Sequence, residues 1–300
     1  MKNNFSILNS IYKPKKITLK NSVYIFQNDD YKYVIKKKNN NILKIHDYLK
    51  SCNFNNYIKV IDNNRCDYFV YDYIDSFNIP DQKKVIYLSN VIALMHAKTS
   101  YTKRTDKSLY DNIYNDINNN LEYANNFYSN LYDSIFLKKY YNPFDSYFMD
   151  IYSKINNCIG FCKRELSSWY NLVSEYSNQR VCLVHNNLSI NHYIRNNDDY
   201  LISFDNAKID TPVLDIYNFY KKEYNKFDFN EFLDNYFYHF KYNDDEKKLL
   251  FILISIPDVI TITSSNYSNL KNLHKVYDYI LNVEKLMRPY YSKEKEEKQT

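Results

Sequence analysis

Between residues 17 and 38, apolar and polar side chains alternate with the two-residue period of strands: ITLKNSVYIFQNDDYKYVIKK. Two or three β-strands fit this stretch, with Asn28-Asp29-Asp30 as a turn. In NILKIHDYLKSCNF the period changes, and Ile42, Leu43, Ile45 and Leu49 fall at helical spacing. YIKVIDNNRCDYFVYDYID then alternates again, giving two more strands around Asp62-Asn63-Asn64. The predicted order is β-β-α-β-β, an antiparallel sheet with one helix that ends near Ile74.

Beyond the connector SFNIPDQ the period is helical. Val85, Leu88, Ile92 and Met95 form a stripe, and residues 108 to 177 read as helix with a break at Pro143. Gly160, the single glycine of the chain, lies inside that run. Glycine costs about 1 kcal/mol against alanine in a helix, so close helix packing is expected there. Strand-like patterning returns at 181–206, helix follows from Pro212 to Tyr290, and the charged tail SKEKEEKQT is expected to fray. The reading is an α+β chain: a β-rich N-terminal lobe (1–76), a helical C-terminal lobe (77–290) with a hairpin at 181–206, and a tail (291–300).

Composition narrows the function classes. The chain has 300 residues, 45% hydrophobic and 18% aromatic, enough apolar material to build a core and unlike a disordered chain. The net charge of +5 is small, and the clusters Lys13–Lys16, Lys36–Lys38 and Lys103–Lys107 have no aromatic interleaving, so solvated faces are expected and no nucleic-acid partner. Cys52, Cys66, Cys158, Cys162 and Cys182 are odd in number and irregular in spacing. They read as buried free thiols, and no metal site is expected. MKNNFSILNS has no signal-peptide core, and the most apolar segment, KKLLFILISIP, is too short to span a bilayer. The expectation is a cytoplasmic protein with no membrane partner.

The chemistry concentrates in VCLVHNNLSINHYIRNNDDYLISFDNAKIDTPVLDIY, residues 181 to 217. Its marks are His185-Asn186-Asn187, His192 five residues further on, Leu201-Ile202-Ser203-Phe204-Asp205, and Pro212-Val213-Leu214-Asp215-Ile216. Together with VIALMHAKT, which carries His96, this stretch resembles the aminoglycoside phosphotransferase and choline kinase branch of the protein-kinase-like fold. The resemblance covers about residues 17 to 290. It implies a bilobal fold with a small antiparallel-sheet lobe and a larger, mainly helical lobe.

The resemblance also assigns roles. A catalytic loop H-x-D-x-x-x-x-N supplies a base for the acceptor hydroxyl and an oxygen ligand for Mg²⁺, and a later Asp supplies a second ligand. Here the base position is Asn187, beside His185, and an amide takes no proton near neutral pH. The metal Asn position is His192, a poor ligand for a hard cation. The metal Asp position is Ser203 when counted back from Pro212 and Asp215, and Asp205 when counted forward from His192. Lys36 is the match to the strand lysine that reaches phosphates, and also reads as the solvated edge of a lysine run. His185 and Asp215 have structural readings, Asp215 bracing the loop from a helix start, and His96 reads as a packed histidine. His185 and His192 make a zinc pair only if a third ligand exists, and none at suitable spacing is apparent.

The expectation is a kinase-like scaffold, degenerate at its active site, that binds an unidentified small molecule or protein. The alternative is an active ATP- and Mg²⁺-dependent small-molecule phosphotransferase using Asp205. A structural component of a large assembly, like the spore-coat proteins that resemble this branch, is a third reading.

Overall fold

A computed structural model describes residues 2–20, 23–39, 41–62, 67–106 and 108–297. The chain opens with helix α1 (Lys2–Tyr12), then strands β1 (Lys16–Lys20), β2 (Val23–Gln27) and β3 (Lys32–Lys37), helix α2 (Ile42–Ser51), and strands β4 (Val60–Asp62) and β5 (Tyr68–Asp72). Helix α3 (Asp81–Thr99), strand β6 (Tyr101–Arg104) and the long helices α4 (Ser108–Phe136) and α5 (Pro143–Val173) follow. Next come β7 (Asn178–Val184), the short pair β8 (Tyr193–Arg195) and β9 (Asp199–Leu201), and β10 (Lys208–Asp210). The chain closes with helices α6 (Val213–Glu223), α7 (Phe229–His239), α8 (Asp244–Ser255) and α9 (Asn266–Glu297). It is an α+β protein, with a small antiparallel sheet in its N-terminal region and helices dominating its C-terminal region.

The residues group into two compact units. One comprises 1–100, 182–215 and 231–240, the other 101–181, 216–230 and 241–300. Within the first, the described strands between 16 and 72 form one antiparallel sheet in the order β1-β2-β3-β5-β4. Alternation puts Phe26, Ile35 and Val70 on one face, and Leu8 of α1 packs against them with Tyr12, Tyr24, Tyr33 and Tyr68. The expected order had no helix before the strands. The polar residues between the apolar positions of 2–12 mask its amphipathic pattern, and it is the sheet face that gives Leu8 a place to bury. The Asn28-Asp29-Asp30 turn is present, closed by Asn28 N–H donating to Tyr31 O at 2.9 Å. The Asp62-Asn63-Asn64 turn and Cys66 fall partly or wholly outside the described residues.

The second unit is a helical bundle in which α5 packs against α4, α8 and α9. The break at Pro143 is a helix start: Asn142 caps α5, accepting from Asp145 N–H at 2.9 Å while Asp145 Oδ2 accepts from Asn142 N–H at 3.1 Å. Proline suits that first position because no N–H is needed there. Gly160 differs from expectation. A Cβ added there would meet only Arg164 Nη1, at 3.6 Å, an ordinary contact, so no close packing requires this glycine. Strand β6 was hidden because YTKR is short, exposed and polar, and it becomes a strand only by pairing with residues 178–181 of β7. Helix α9 carries through most of the charged tail to Glu297, consistent with the helix propensity of Lys and Glu.

Candidate functional site

The two short strands β8 and β9 fold back onto the N-terminal region within the first unit. Leu201 N–H donates to Asn56 O at 2.8 Å, Asn56 Nδ2 donates to Asp199 O at 2.9 Å, and Phe77 N–H donates to Arg195 O at 2.7 Å. The Arg195 guanidinium lies 3.7 Å from the Tyr87 ring centroid. These bonds hold one face of the hairpin opposite the five-stranded sheet and enclose a cavity of about 420 Å³. Its walls are largely apolar, including Val23, Ile25, Val34, Ile42, Ile194 and Leu201. The polar groups entering it are Lys20, Lys36, Lys84, His46, His192, Asn191, Ser203, Ser76 and Asp72. A concave, mainly apolar space with a few polar groups is the usual form of a small-molecule site.

Three of the sequence-identified residues, Lys36, His192 and Ser203, line this cavity. Lys36 stands on β3 and forms an ion pair with Asp205, both side chains being about one-quarter exposed. Asp205 sits in a single 3-10 turn (Phe204–Asn206) and is fixed from a second side by Asn39 Nδ2, which donates to its carbonyl at 3.0 Å. Tyr71 feels the same carboxylate: burial and then the Asp205 charge raise its phenol above the ordinary tyrosine range. Ser203 precedes the turn in the left-handed region, at φ 68° and ψ 47°. A non-glycine residue held there needs support from its surroundings.

The histidines are oriented by backbone. His192 Nδ1 lies 2.7 Å from Asn187 O, and His185 Nε2 lies 2.8 Å from Ile202 O. Their rings are 5.6 Å apart. Each has a ring nitrogen engaged by a carbonyl, so the arrangement braces the loop. Among the described residues, no group of three or more His, Cys, Asp or Glu side chains is placed to hold a metal ion.

A polar network centred on the buried Asp215, His96 and Tyr236 holds the loop from its other side. Asp215, at the start of α6, accepts the N–H groups of His185 and Asn186, each at 2.6 Å. His96 Nε2 lies 3.1 Å from Asp215 Oδ2, and His96 Nδ1 lies 2.7 Å from Tyr236 OH. Burial pushes the Asp215 carboxyl up, but the hydrogen bond and charge of His96, with His185, outweigh it and hold the group below its ordinary value. Asn186 takes φ 56°, which turns the chain so that both N–H groups point at one carboxylate.

Sequence reasoning missed Lys84, His46 and Asn39. Lys84 lies next to the buried Val85 on α3, and nothing in its neighbourhood marks it. Burial draws its ammonium below the ordinary lysine value, with Asp81 opposing. His46 and Asn39 flank the first turn of α2 and reach the site only through the fold.

No family model matches the sequence, and no curated protein matches it. The structure does have counterparts. An aminoglycoside phosphotransferase from Alicyclobacillus acidocaldarius superposes over 92% of both chains with a TM-score of 0.63 at 9% identity. This chain has the protein-kinase-like fold of the aminoglycoside phosphotransferases. A spectinomycin phosphotransferase solved with AMP matches over 92% of this chain and 93% of its own at TM-score 0.50 and 13% identity. A choline kinase from Streptococcus pneumoniae superposes less closely, with a TM-score of 0.44 and 13% identity over 93% and 95% of the two chains. On this kinase-like fold the cavity lies between the sheet and the hairpin that carries the His185–His192 loop.

Proposed function

We propose that this chain is a kinase-like scaffold that works in the cytoplasm, binds a ligand in the cavity of its first unit, and does not transfer phosphate. The observation that carries this reading is the donor set beside the cavity. His192, with Nδ1 engaged by the Asn187 carbonyl, and Ser203, a hydroxyl on a left-handed residue, stand where the resemblance calls for oxygen ligands. Asp205, the nearest carboxylate in sequence, is committed to Lys36. Mg²⁺ prefers an octahedral set of hard oxygens, and these residues do not fit it. Asn187 at the base position has no proton affinity near neutral pH. The sheet-bearing lobe is taken as residues 1–76 and the helical lobe as 77–290.

What the residues can do is bind. The apolar walls suit a flat or hydrophobic group, and Lys84 and Lys20 supply positive charge, with Lys36 held by Asp205. A nucleotide is one such ligand, as in the AMP complex of the spectinomycin phosphotransferase. Its binding here is expected to be weak and nearly independent of Mg²⁺.

The purified chain is to be incubated with labelled ATP, Mg²⁺ and a panel of aminoglycosides, choline-like alcohols and sugars. No transfer above background is expected, and turnover near 1 s⁻¹, the low end for kinases, overturns the reading. One observation favours the second reading, an active phosphotransferase built on Asp205: the pairing of that carboxylate with Lys36. The triple substitution Asn187→Asp, His192→Asn, Ser203→Asp separates the two. It creates Mg²⁺ binding if Asn187, His192 and Ser203 hold the base and metal positions that the scaffold reading gives them. If instead it has no effect while Asp205→Asn abolishes an activity present in the wild type, the enzyme reading stands.

A further inference from the structure

At one end of the helical unit, the turn between α4 and α5 exposes a run of large apolar side chains: Phe136 at 61%, Leu137 at 84%, Tyr140 at 80% and Tyr141 at 43%. Lys138 and Lys139 lie between them. The start of α9 is at the same end. Tyr147 and His274 have ring centroids 4.0 Å apart, Lys154 pairs with Glu284 at 2.6 Å, and the rings of Phe161 and Tyr291 are 5.5 Å apart. The near-constant offset of these pairs makes α5 and α9 parallel. Tyr267, 77% exposed, therefore lies level with the α4–α5 turn, and Ile262, 46% exposed, precedes it.

At the tip itself, residues 136–142 and 262–270, the charged side chains are Lys138 and Lys139. Lys138 is paired with the buried Asp145 at 2.7 Å, which leaves Lys139 as the unneutralised charge there, and Asp278 acts on Tyr147 further in. Exposed leucine and tyrosine side chains interleaved with lysine match the interfacial layer of an anionic bilayer: apolar groups enter the acyl boundary, tyrosines sit at headgroup level, and lysine meets lipid phosphates. We propose that this end of the helical unit docks on an anionic phospholipid surface. The expectation of no membrane partner rested on the lack of a spanning segment. No described helix is long and apolar enough to cross a bilayer, and surface docking needs none.

The test is co-sedimentation of the full chain with vesicles of phosphatidylcholine alone and of phosphatidylcholine with phosphatidylglycerol. Binding is expected only with phosphatidylglycerol and should weaken as salt rises. The double substitution Leu137→Ser, Tyr140→Ser should lower affinity at least about tenfold, since it removes two apolar groups that enter the bilayer on docking. Lys139→Glu should lower it by about fivefold or more. Both sites are exposed, so melting temperatures should match the wild type. No wild-type binding, or equal binding by the double variant, overturns the proposal. So does a wild-type dimer that the double substitution dissolves, because the patch then belongs to a second copy of the chain.

Discussion

Lys36 and Asp205, 169 residues apart in sequence, form an ion pair between β3 and the turn that follows Ser203. The pair joins the lysine that the resemblance assigns to a phosphate and the carboxylate that the phosphotransferase reading assigns to a metal. Asp205→Asn should release Lys36 and tighten binding of inorganic pyrophosphate or triphosphate. Because both partners are partly exposed, the stability change should be about 1 kcal/mol or less and should shrink with salt. Calorimetric titration at low and high salt checks this, and unchanged anion affinity in the variant counts against a role for Lys36 in binding.

Asp215 is the brace of the His185–His192 loop. Asp215→Asn keeps the shape but offers one oxygen where two N–H groups and His96 now converge, and it places an amide N–H against other donors. Leaving buried donors unsatisfied costs about 1–3 kcal/mol. A loss of about 2–3 kcal/mol in urea unfolding is expected, with larger loss of hydrogen-exchange protection at His185 and Asn186 than elsewhere.

His46 should make stability pH-dependent. It packs against Tyr57, with ring centroids 4.6 Å apart, and burial lowers its pKa from 6.5 to about 4, Asp47 opposing. The unfolded chain therefore binds this proton more tightly than the folded chain does. Stability from neutral His46 is complete above about pH 6.5 and is lost progressively as pH falls to about 4. His46→Gln should flatten the stability profile across that window. An unchanged slope would mean that His46 does not titrate as its surroundings require.

Gly160 should be a site of easy stabilisation. It is inside α5, and an added Cβ meets only the far end of Arg164. Gly160→Ala should raise stability by about 0.5–1 kcal/mol through helix propensity and lower unfolded-state entropy. A fall in melting temperature would show packing against Gly160 that the structure does not contain.

Local pattern and tertiary position divide this protein in a physical way. The period-two runs that became β2, β3 and β5, the stripes Ile42, Ile45, Leu49 and Val85, Leu88, Ile92, Met95, and the start of α5 at Pro143 were legible because one buried face imposes its period on neighbouring residues. The loop was legible as a motif because His185, Asn187 and His192 sit close together in one segment with Asp215 beyond them, while spacing alone left the metal-Asp position open between Ser203 and Asp205. Their neighbours were not. The Lys36–Asp205 pair joins residues 169 apart, Tyr236 reaches His96 across 140 residues, and Leu8 is buried only because the sheet offers a face to it. Sequence spacing carries no information about such contacts, because they depend on where distant elements come to rest. The lack of tight packing around Gly160 is decided in the same way. Propensity states what glycine costs in a helix, and only the neighbouring atoms determine whether anything requires it.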